Sequence, residues 1–345
     1  MTEEAARPRH PPTMADVASR AGVSAMTVSR ALRKDSVIST ETRQRIMVAV
    51  EELGYVLDQT AGTFPSKRSG FVAALVPSLN NSNFADTARG ITEAIDGSGL
   101  QLLLGYTNYS VEKEEGLIES MLMRRPEGLI LTGGRHTERA RRRLVQVGIP
   151  IVETWDLPPD PIEHVVGFSN ADSMAALVRH MHDRGYRRIG FIGGTGNRDT
   201  RGVDRRLGYA QAMEELGLSR DRVISFGQPP ISMELGGEAL AQLLTRWPDT
   251  DAAVCVSDLS AFGALMECTR RGWAVPGRIA LGGFGDFEVA RASCPRLTTV
   301  AVDAYGIGRN AGELLLRAIT ARREKRTVPA EVMMMSFTVV QRETS

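Results

Sequence analysis

Hydrophobic residues recur at helical spacing in three short segments between Thr13 and Tyr55. The inward positions of these segments are Val17, Ala18 and Ala21, then Val28, Ala31 and Leu32, then Ile46, Val50 and Leu53. Residues that favour helix ends flank them, with Thr13, Ser24 and Ser39 before the segments and Gly22 and Gly54 after the first and third. The pattern predicts three helices, the first two joined by a tight turn and the third packed across them, which is a helix-turn-helix.

From Gly70 onward, continuous apolar runs of strand length alternate with amphipathic segments of helix length. This rhythm favours parallel strands joined by crossover helices, in sheets that are covered on both faces. The predicted strands lie at 71–77, 100–106, 128–133, 149–155, 164–170, 188–194, 223–227, 252–258, 279–286, 297–303 and 331–340. The last of them contains Met333, Met334 and Met335, which we expect to be buried. The sequence therefore predicts an α/β fold with two consecutive doubly wound halves and a cleft between them.

These patterns divide the chain into four parts. The predicted parts are a disordered tail at 1–12, a helix-turn-helix headpiece at 13–56, a hinge or linker at 57–69 and an α/β domain at 70–345. Within the α/β domain we expect one lobe of about 70–167 with 303–335 and a second lobe of 168–302. The two-lobed arrangement is similar to that of periplasmic binding proteins.

The composition of the 345 residues is that of an ordinary globular protein, with a formal net charge of only +1. Three cysteines without a CxxC motif favour a reducing compartment over disulfides or a zinc site. The first residues lack the apolar core of a signal peptide, and no apolar run is long enough to span a membrane. The sequence predicts a cytoplasmic protein that makes no contact with membranes.

Three stretches of the headpiece resemble the LacI/GalR family of bacterial transcription regulators: AGVSAMTVSRAL at 21–32, STETRQRI at 39–46 and ELGY at 52–55. The resemblance implies sequence-specific binding of a pseudo-palindromic operator in double-stranded DNA. Ala25, Met26 and Arg30 would face bases, and phosphates would be contacted by Thr13, Ser24, Thr27, Ser29, Ser39 and Thr42. Arg33, Tyr55, Ala61 and Phe64 complete the expected DNA-binding set. A three-helix packing module with no nucleic-acid role is the alternative.

The headpiece is only mildly basic, which favours binding as a homodimer or as a dimer of dimers. Its hinge departs from the family pattern, which usually has Pro-Asn and then Ala-Arg-x-Leu. The corresponding residues here are Leu57-Asp58 and Ala61-Gly62-Thr63-Phe64. Phe64 would be the apolar wedge in the minor groove, whereas Asp58 would repel phosphates and Gly62 disfavours a helix. A plain linker is the alternative reading of this segment.

Ligands of doubly wound sheets bind at the carboxyl ends of the strands. The expected effector-binding residues are Ser78, Asn81, Phe84, Glu153, Trp155, Phe168, Asn170, Arg201, Arg205, Ser257, Asp258, Phe284 and Asp286. Among them, Arg205 matches the arginine that binds ligands in the LacI/GalR family. The family commonly has an aspartate after its Gly-Phe pair, but Gly285 follows Phe284 here. A pocket that loses a carboxylate and keeps an arginine favours an anionic ligand.

Several stretches look most like the gluconate-operon repressor branch, among them VPSLNNSNFAD and VGFSN. The expected effector is a sugar acid such as gluconate or a keto-gluconate, and a neutral sugar or a nucleoside is the alternative. No P-loop, HExxH or GxSxG motif is present, so we expect no catalytic residue, metal or cofactor. Two other functions are alternatives: a solute-binding protein or enzyme on the same scaffold, and an architectural DNA binder with a degenerate pocket.

Overall fold

The computed structural model describes residues 12–32, 38–55, 69–194, 196, 198–230 and 232–345. The chain divides into two compact units, Met1–Ser69 and Gly70–Ser345, which we call the N-terminal unit and the C-terminal unit. The expected tail (apart from Pro12), the hinge from Leu57 to Phe64 and Arg33 lie outside the described residues. No helix in the described part of the chain is both long and apolar enough to cross a bilayer.

The N-terminal unit contains α1 (Met14–Ala21), α2 (Ala25–Ala31) and α3 (Thr40–Leu53). The predicted caps are confirmed. Thr13 and Asp16 form a reciprocal capping box at the start of α1, in which the Thr13 amide donates to Asp16 Oδ2 over 2.7 Å. Gly22 and Gly54 end α1 and α3 at φ values of 67° and 63°, the left-handed conformation that glycine adopts most easily.

The core of the N-terminal unit is small and consists of apolar residues from all three helices. Its buried side chains are Val17, Ala18, Ala21, Val28, Ala31, Ile46 and Ala49. The Arg43 side chain on α3 donates to the Ala31 carbonyl over 2.5 Å and joins α3 to the end of α2. Periodicity and capping together are sufficient to specify this unit, because its contacts are between neighbouring helices.

The C-terminal unit contains two six-stranded sheets and the helices that cover them. Lobe A is formed first, by β1 (Phe71–Val76), α4 (Ser82–Ile95), β2 (Gln101–Tyr106), α5 (Val111–Met123), β3 (Leu129–Thr132), α6 (Glu138–Gln146), β4 (Ile151–Thr154) and β5 (His164–Gly167). Lobe B follows with α7 (Asn170–Asp183), β6 (Ile189–Gly193), α8 (Thr200–Glu215), β7 (Val223–Ser225), α9 (Met233–Arg246), β8 (Ala252–Cys255), α10 (Asp258–Arg271), β9 (Ala280–Phe284), α11 (Glu288–Ala292) and β10 (Thr298–Val302). The last elements are α12 (Ala304–Arg323), β11 (Val332–Met334) and β12 (Phe337–Val340).

The strand orders are β11-β5-β4-β3-β1-β2 in lobe A and β12-β10-β9-β8-β6-β7 in lobe B. Every neighbouring pair is parallel except β10 with β12, which is antiparallel. The chain crosses between the lobes after β5, after β10 and between β11 and β12. These observations confirm the predicted α/β class with two doubly wound halves.

One predicted strand was wrong. Residues 331–340 form two short strands that belong to different sheets, because the chain crosses between lobes at Met335 and Ser336. Met334 is also 75% exposed, in contrast to the expected burial, whereas Met333 and Met335 pack partly against the core. The reason is that β11 is an edge strand, and alternate side chains of a strand point to opposite faces.

Close packing of α4 against α12 requires glycine at their crossing. A Cβ atom added to Gly308 would lie 2.0 Å from the Thr87 carbonyl oxygen, a distance that no folded chain tolerates without moving a helix. The exposed Gly116 on α5 is the opposite case, because an added Cβ would have no atom within 4 Å.

We predict that Gly308→Ala lowers the free energy of unfolding by about 1–3 kcal/mol, because overpacking separates α4 from α12. The matched control, Gly116→Ala, should raise the stability by roughly 0.5–1 kcal/mol, since alanine favours helix. Urea denaturation of both variants, followed by circular dichroism, measures these effects. Equal effects of the two substitutions would contradict the close helix crossing.

Candidate nucleic-acid interface and ligand crevice

The outer face of α2 has exposed side chains of mixed chemistry. Met26 is 64% exposed, Ala25 and Arg30 are exposed, and Thr27 and Ser29 are half-buried. Ser24 caps the helix by accepting from the Thr27 amide over 3.2 Å. Small residues beside one arginine leave room for a groove of DNA to approach, and a guanidinium can bind the O6/N7 edge of guanine.

Three other predicted DNA contacts lie at the amino ends of helices. Thr13, Ser24 and Ser39 are exposed N-cap residues, and the half-buried Thr42 accepts a hydrogen bond from Ser39 Oγ over 2.9 Å. Tyr55, in contrast, packs against the core of the N-terminal unit. Arg33, Ala61 and Phe64 lie outside the described residues.

In the C-terminal unit, unusual backbone conformations occur where strands end. Asn108, Tyr109, Trp155 and Asp286 have φ values of 52°, 57°, 67° and 51°, and each follows closely on β2, β4 or β9. Asparagine and aspartate tolerate this region, whereas tyrosine and tryptophan rarely enter it. Strained residues of this kind cluster at functional sites. Together they mark the edges of both sheets that face each other across a crevice.

Arg205 on α8 is held rigidly on the lobe B side of this crevice. Its Nε donates to Asn170 Oδ1 over 3.1 Å, and a terminal nitrogen donates to the Val256 carbonyl over 2.9 Å. Its guanidinium carbon lies 3.6 Å from the centre of the Phe284 ring. Burial lowers the pKa of Arg205 to about 10, so the side chain still carries its charge at neutral pH.

Arg201 lies one turn earlier on α8 and is only 5% exposed. Its guanidinium lies 5.6 Å from the ring centre of Phe84 and 5.9 Å from that of Tyr109, both on lobe A. Its nearest carboxylate is Asp199, 4.0 Å away, which is too far for a hydrogen bond. Among the described residues, therefore, no acceptor satisfies this buried guanidinium. An anion in the crevice would satisfy it.

Four aromatic rings form an apolar floor beneath the two arginines. Phe84 contacts Trp155 at 5.4 Å, Trp155 contacts Phe168 at 5.9 Å, and Phe168 stacks on Phe284 at 6.1 Å between ring centres. The Trp155 indole donates to Thr87 Oγ1 over 3.1 Å, which fixes its orientation. The floor runs from lobe A to lobe B, so a change in the angle between lobes must repack it.

Other predicted effector residues complete the rim on lobe A. Ser78 is buried and accepts from the Asn80 amide over 3.2 Å. Asn81 caps α4 by accepting from the Asn83 amide over 3.0 Å. A cavity of about 220 Å³ adjoins Asn170 and is lined by both lobes. Its polar lining includes Arg135, Asp156, Ser169 and Asp204.

Four predicted effector residues are engaged elsewhere. Glu153 is fully buried in lobe A, and Asp258 is fully buried in lobe B, where it accepts from Thr299 Oγ1 over 2.6 Å and from the Phe287 amide over 2.7 Å. Burial raises the pKa of Asp258 to about 7. Asp286 is paired with Arg342 at 2.6 Å, and Ser257 forms a capping box with Ser260. These side chains shape the walls rather than offer free groups to the crevice.

The sequence reasoning missed several residues of the crevice. Tyr109 follows β2 and is absent from the expected effector-binding residues, although ligands of such sheets bind at strand ends. Burial and then the Asp199 carboxylate raise the pKa of Tyr109 to about 12. Arg135 of lobe A pairs with Asp204 of lobe B at 2.5 Å, and Asn83 Nδ2 donates to the Gly285 carbonyl over 3.0 Å. These two contacts between lobes have no signal in the sequence, because they exist only once the lobes meet.

Glu153 belongs to a buried acid–imidazole–acid cluster. His136 lies between Glu114, at 2.5 Å from Nδ1, and Glu153, at 3.3 Å from Nε2. Burial disfavours the imidazolium, but the hydrogen bonds that it donates to both carboxylates outweigh this effect and raise the pKa of His136 to about 9. Glu153 also accepts from the Ile162 amide over 2.6 Å, so the cluster fixes the segment between β4 and β5 that carries Trp155.

We predict that this cluster makes the C-terminal unit less stable as the pH rises. The pKa of His136 is higher in the folded state than in the unfolded state, so its contribution, of the order of 3 kcal/mol, is complete below about pH 6.5 and lost as the pH passes about 9. His136→Gln should remove this dependence, and His182→Gln on α7 is the control. Urea denaturation between these pH values measures it; an unchanged slope in His136→Gln would contradict the assignment.

Comparison with known proteins agrees with this geometry. The sequence profile described as "Bacterial regulatory proteins, lacI family" matches residues 13–58, and the profile "Periplasmic binding protein-like domain" matches residues 178–345. The HTH-type transcriptional regulator GntR of Pseudomonas aeruginosa is 38% identical, over 97% of this chain and 96% of the relative. The regulator of the same name from Escherichia coli is 34% identical, over 95% and 97%.

Solved structures agree as well. The crystal structure of a LacI family transcriptional regulator from Silicibacter pomeroyi superposes with a TM-score of 0.89 at 33% identity, and covers 97% of this chain and 99% of that one. These relatives regulate transcription and are not enzymes. The chain shares with these regulators a helix-turn-helix unit and a two-lobed unit, and the sequence identity extends over both. The chain belongs to the LacI family of DNA-binding transcriptional repressors.

Proposed function

We propose that the effector of this repressor is a small sugar acid, such as gluconate or a keto-gluconate, and that its target genes serve sugar-acid catabolism. The observation that carries the proposal is Arg201, a buried guanidinium without an acceptor at hydrogen-bond distance among the described residues. A carboxylate is the group that satisfies a guanidinium best, since the two can form short, paired, charge-assisted bonds. Arg205 adds a second positive charge beside it.

The residue at position 285 gives a second argument for an anionic effector. Its φ is 122°, and an added Cβ would lie 2.2 Å from the Phe287 ring, so no acidic side chain fits at this position. The aspartate expected from the family pattern is therefore excluded by packing. Without it, less negative charge opposes a carboxylate that enters between Arg201 and Arg205.

The proposed effector contacts come from both lobes. They are Ser78, Asn81, Phe84, Tyr109, Trp155, Phe168, Asn170, Asp199, Arg201, Arg205 and Phe284. An effector bound by residues of both lobes favours the closed arrangement over the open one. We infer that closure changes the spacing of two headpieces and weakens operator binding, a population shift that requires the effector to prefer one arrangement.

The DNA-bound form is proposed to be a dimer. Repressors of this family bind operator DNA and small-molecule effectors as dimers. In this chain, β2 is an edge strand of lobe A with Leu103, Leu104 and Tyr106 exposed, which suits contact with a second copy. Two headpieces would then read two half-sites of a pseudo-palindrome through the outer face of α2. A protein with a DNA target of this kind works in the cytoplasm.

We predict that gluconate or a keto-gluconate releases the wild-type protein from an operator upstream of its own gene. Arg201→Gln should still bind the operator but need about 10- to 100-fold more acid for release, because it loses a charge-assisted pair. Arg206→Gln, an exposed arginine on the same helix, is the matched control. Footprinting with increasing acid measures release; a normal response of Arg201→Gln would refute the anion site.

For the headpiece, we predict that Arg30→Ala reduces discrimination between operator and random duplex by about 1–3 kcal/mol. Arg30→Lys keeps the charge but cannot form the paired contact with guanine, so it should retain binding to random duplex and still lose discrimination. Fluorescence anisotropy at a fixed, near-physiological salt concentration measures both affinities. Wild-type discrimination in the alanine variant would exclude Arg30 from base recognition.

A further inference from the structure

Asp199 lies at the start of α8, where a side-chain oxygen usually accepts a hydrogen bond from a backbone amide of the first turn. It is the N-cap residue, yet its side chain makes no capping hydrogen bond. Its Oδ1 is buried and has no hydrogen-bond partner among the described residues. An acceptor left unsatisfied in the interior costs free energy, so its retention calls for an explanation. The helix does not supply one.

The unsatisfied Oδ1 atom of Asp199 lies close to the Arg201 guanidinium, which also lacks a hydrogen-bond partner among the described residues. Asp199 Oδ1 and the nearest Arg201 nitrogen are 4.0 Å apart, and both residues line one narrow space with Tyr109 and Ser110. One of these groups needs a hydrogen-bond acceptor, and the other needs a donor. A ligand that satisfies both must therefore offer an acceptor and a donor close together, each about 2.7–3.0 Å from its partner, as a carboxylate beside a hydroxyl does.

Resting on the sugar-acid effector proposed above, we infer that Asp199 selects 2-hydroxy acids over 2-oxo acids. The carboxylate of the effector binds Arg201, and the hydroxyl on the next carbon donates to Asp199 Oδ1. A 2-oxo acid in its open-chain form carries a ketone at that carbon. A ketone has lone pairs but no proton, so it faces the Asp199 carboxylate with repulsion and leaves that carboxylate unsatisfied. Asp199 is thus a specificity-determining residue that distinguishes gluconate from 2-keto-gluconate.

The groups around the Asp199 carboxylate include cations and a phenol. The guanidinium groups of Arg201 and Arg205 are its cationic neighbours, and Arg205 in turn has its pKa raised by Asp199 against the larger lowering by burial. The hydroxyl of Tyr109, whose pKa burial raises to about 12, stays protonated at neutral pH. The Asp199 Oδ1 atom, which has no partner among the described residues, is placed to accept a hydrogen bond from a ligand hydroxyl.

Calorimetric titration of the full-length protein with three acids tests this inference. D-gluconate should bind at least about tenfold more tightly than 2-deoxy-D-gluconate, which lacks the hydroxyl donor, and more tightly than 2-keto-D-gluconate, whose open-chain form lacks it. In Asp199→Asn, the amide can turn its NH₂ toward a ketone or its oxygen toward a hydroxyl. The preference for gluconate over 2-keto-D-gluconate should then fall to within a few-fold. Asp172→Asn, which removes an exposed carboxylate from the first turn of α7, is the control and should keep the wild-type preference.

The outcomes separate this inference from the proposed effector class. Equal or tighter binding of 2-deoxy-D-gluconate by the wild type, or an unchanged preference in Asp199→Asn, overturns the role of Asp199 and leaves a sugar-acid effector standing. Failure of all three acids to bind the wild type overturns the effector class, and the role of Asp199 with it. Thermal unfolding of each variant shows whether it is folded; because Asp199 makes no capping bond, its substitution should not impair α8.

Discussion

Burying two guanidinium groups between the lobes is the constraint on which the C-terminal unit depends. Arg205 meets it with bonds to Asn170 and Val256 and with the face of Phe284, all supplied by lobe B or the crossing segment. Arg201 meets it only in part, through two rings of lobe A. A buried cation without hydrogen bonds is costly. An anion beside Arg201 would lower that cost.

The headpiece and the sheets were predictable because their causes are local. Thr13 with Asp16, Ser24 and Gly54 specify helix ends by groups within a few residues, and apolar runs such as 71–77 are long enough to identify a buried strand. The exception is the run ending at Val340. Its apolar pattern is that of a single strand. The structure shows that its two halves belong to different sheets.

The crevice was predictable where one strand or helix positions the side chain, as for Arg205, Trp155 and Phe168. Strand-end position alone could not tell an open group from a bonded one, so Glu153 and Asp258 were placed in the site although His136 and Thr299 occupy them. Arg135 with Asp204 and Asn83 with Gly285 depend on residues separated by 69 and 202 positions. Contacts between residues so far apart in the sequence form only when the two lobes meet, so no local sequence pattern predicts them.

The three crossings of the chain also limit how this protein can be divided. Lobe A is assembled from the elements β1 to β5 together with α12 and β11, which follow β10. A fragment that ends at β10 would therefore leave α4 without its main partner helix and β5 with a bare edge. Neither lobe exists as a contiguous gene segment, so recombination can exchange the headpiece as a module but must inherit the sensor whole.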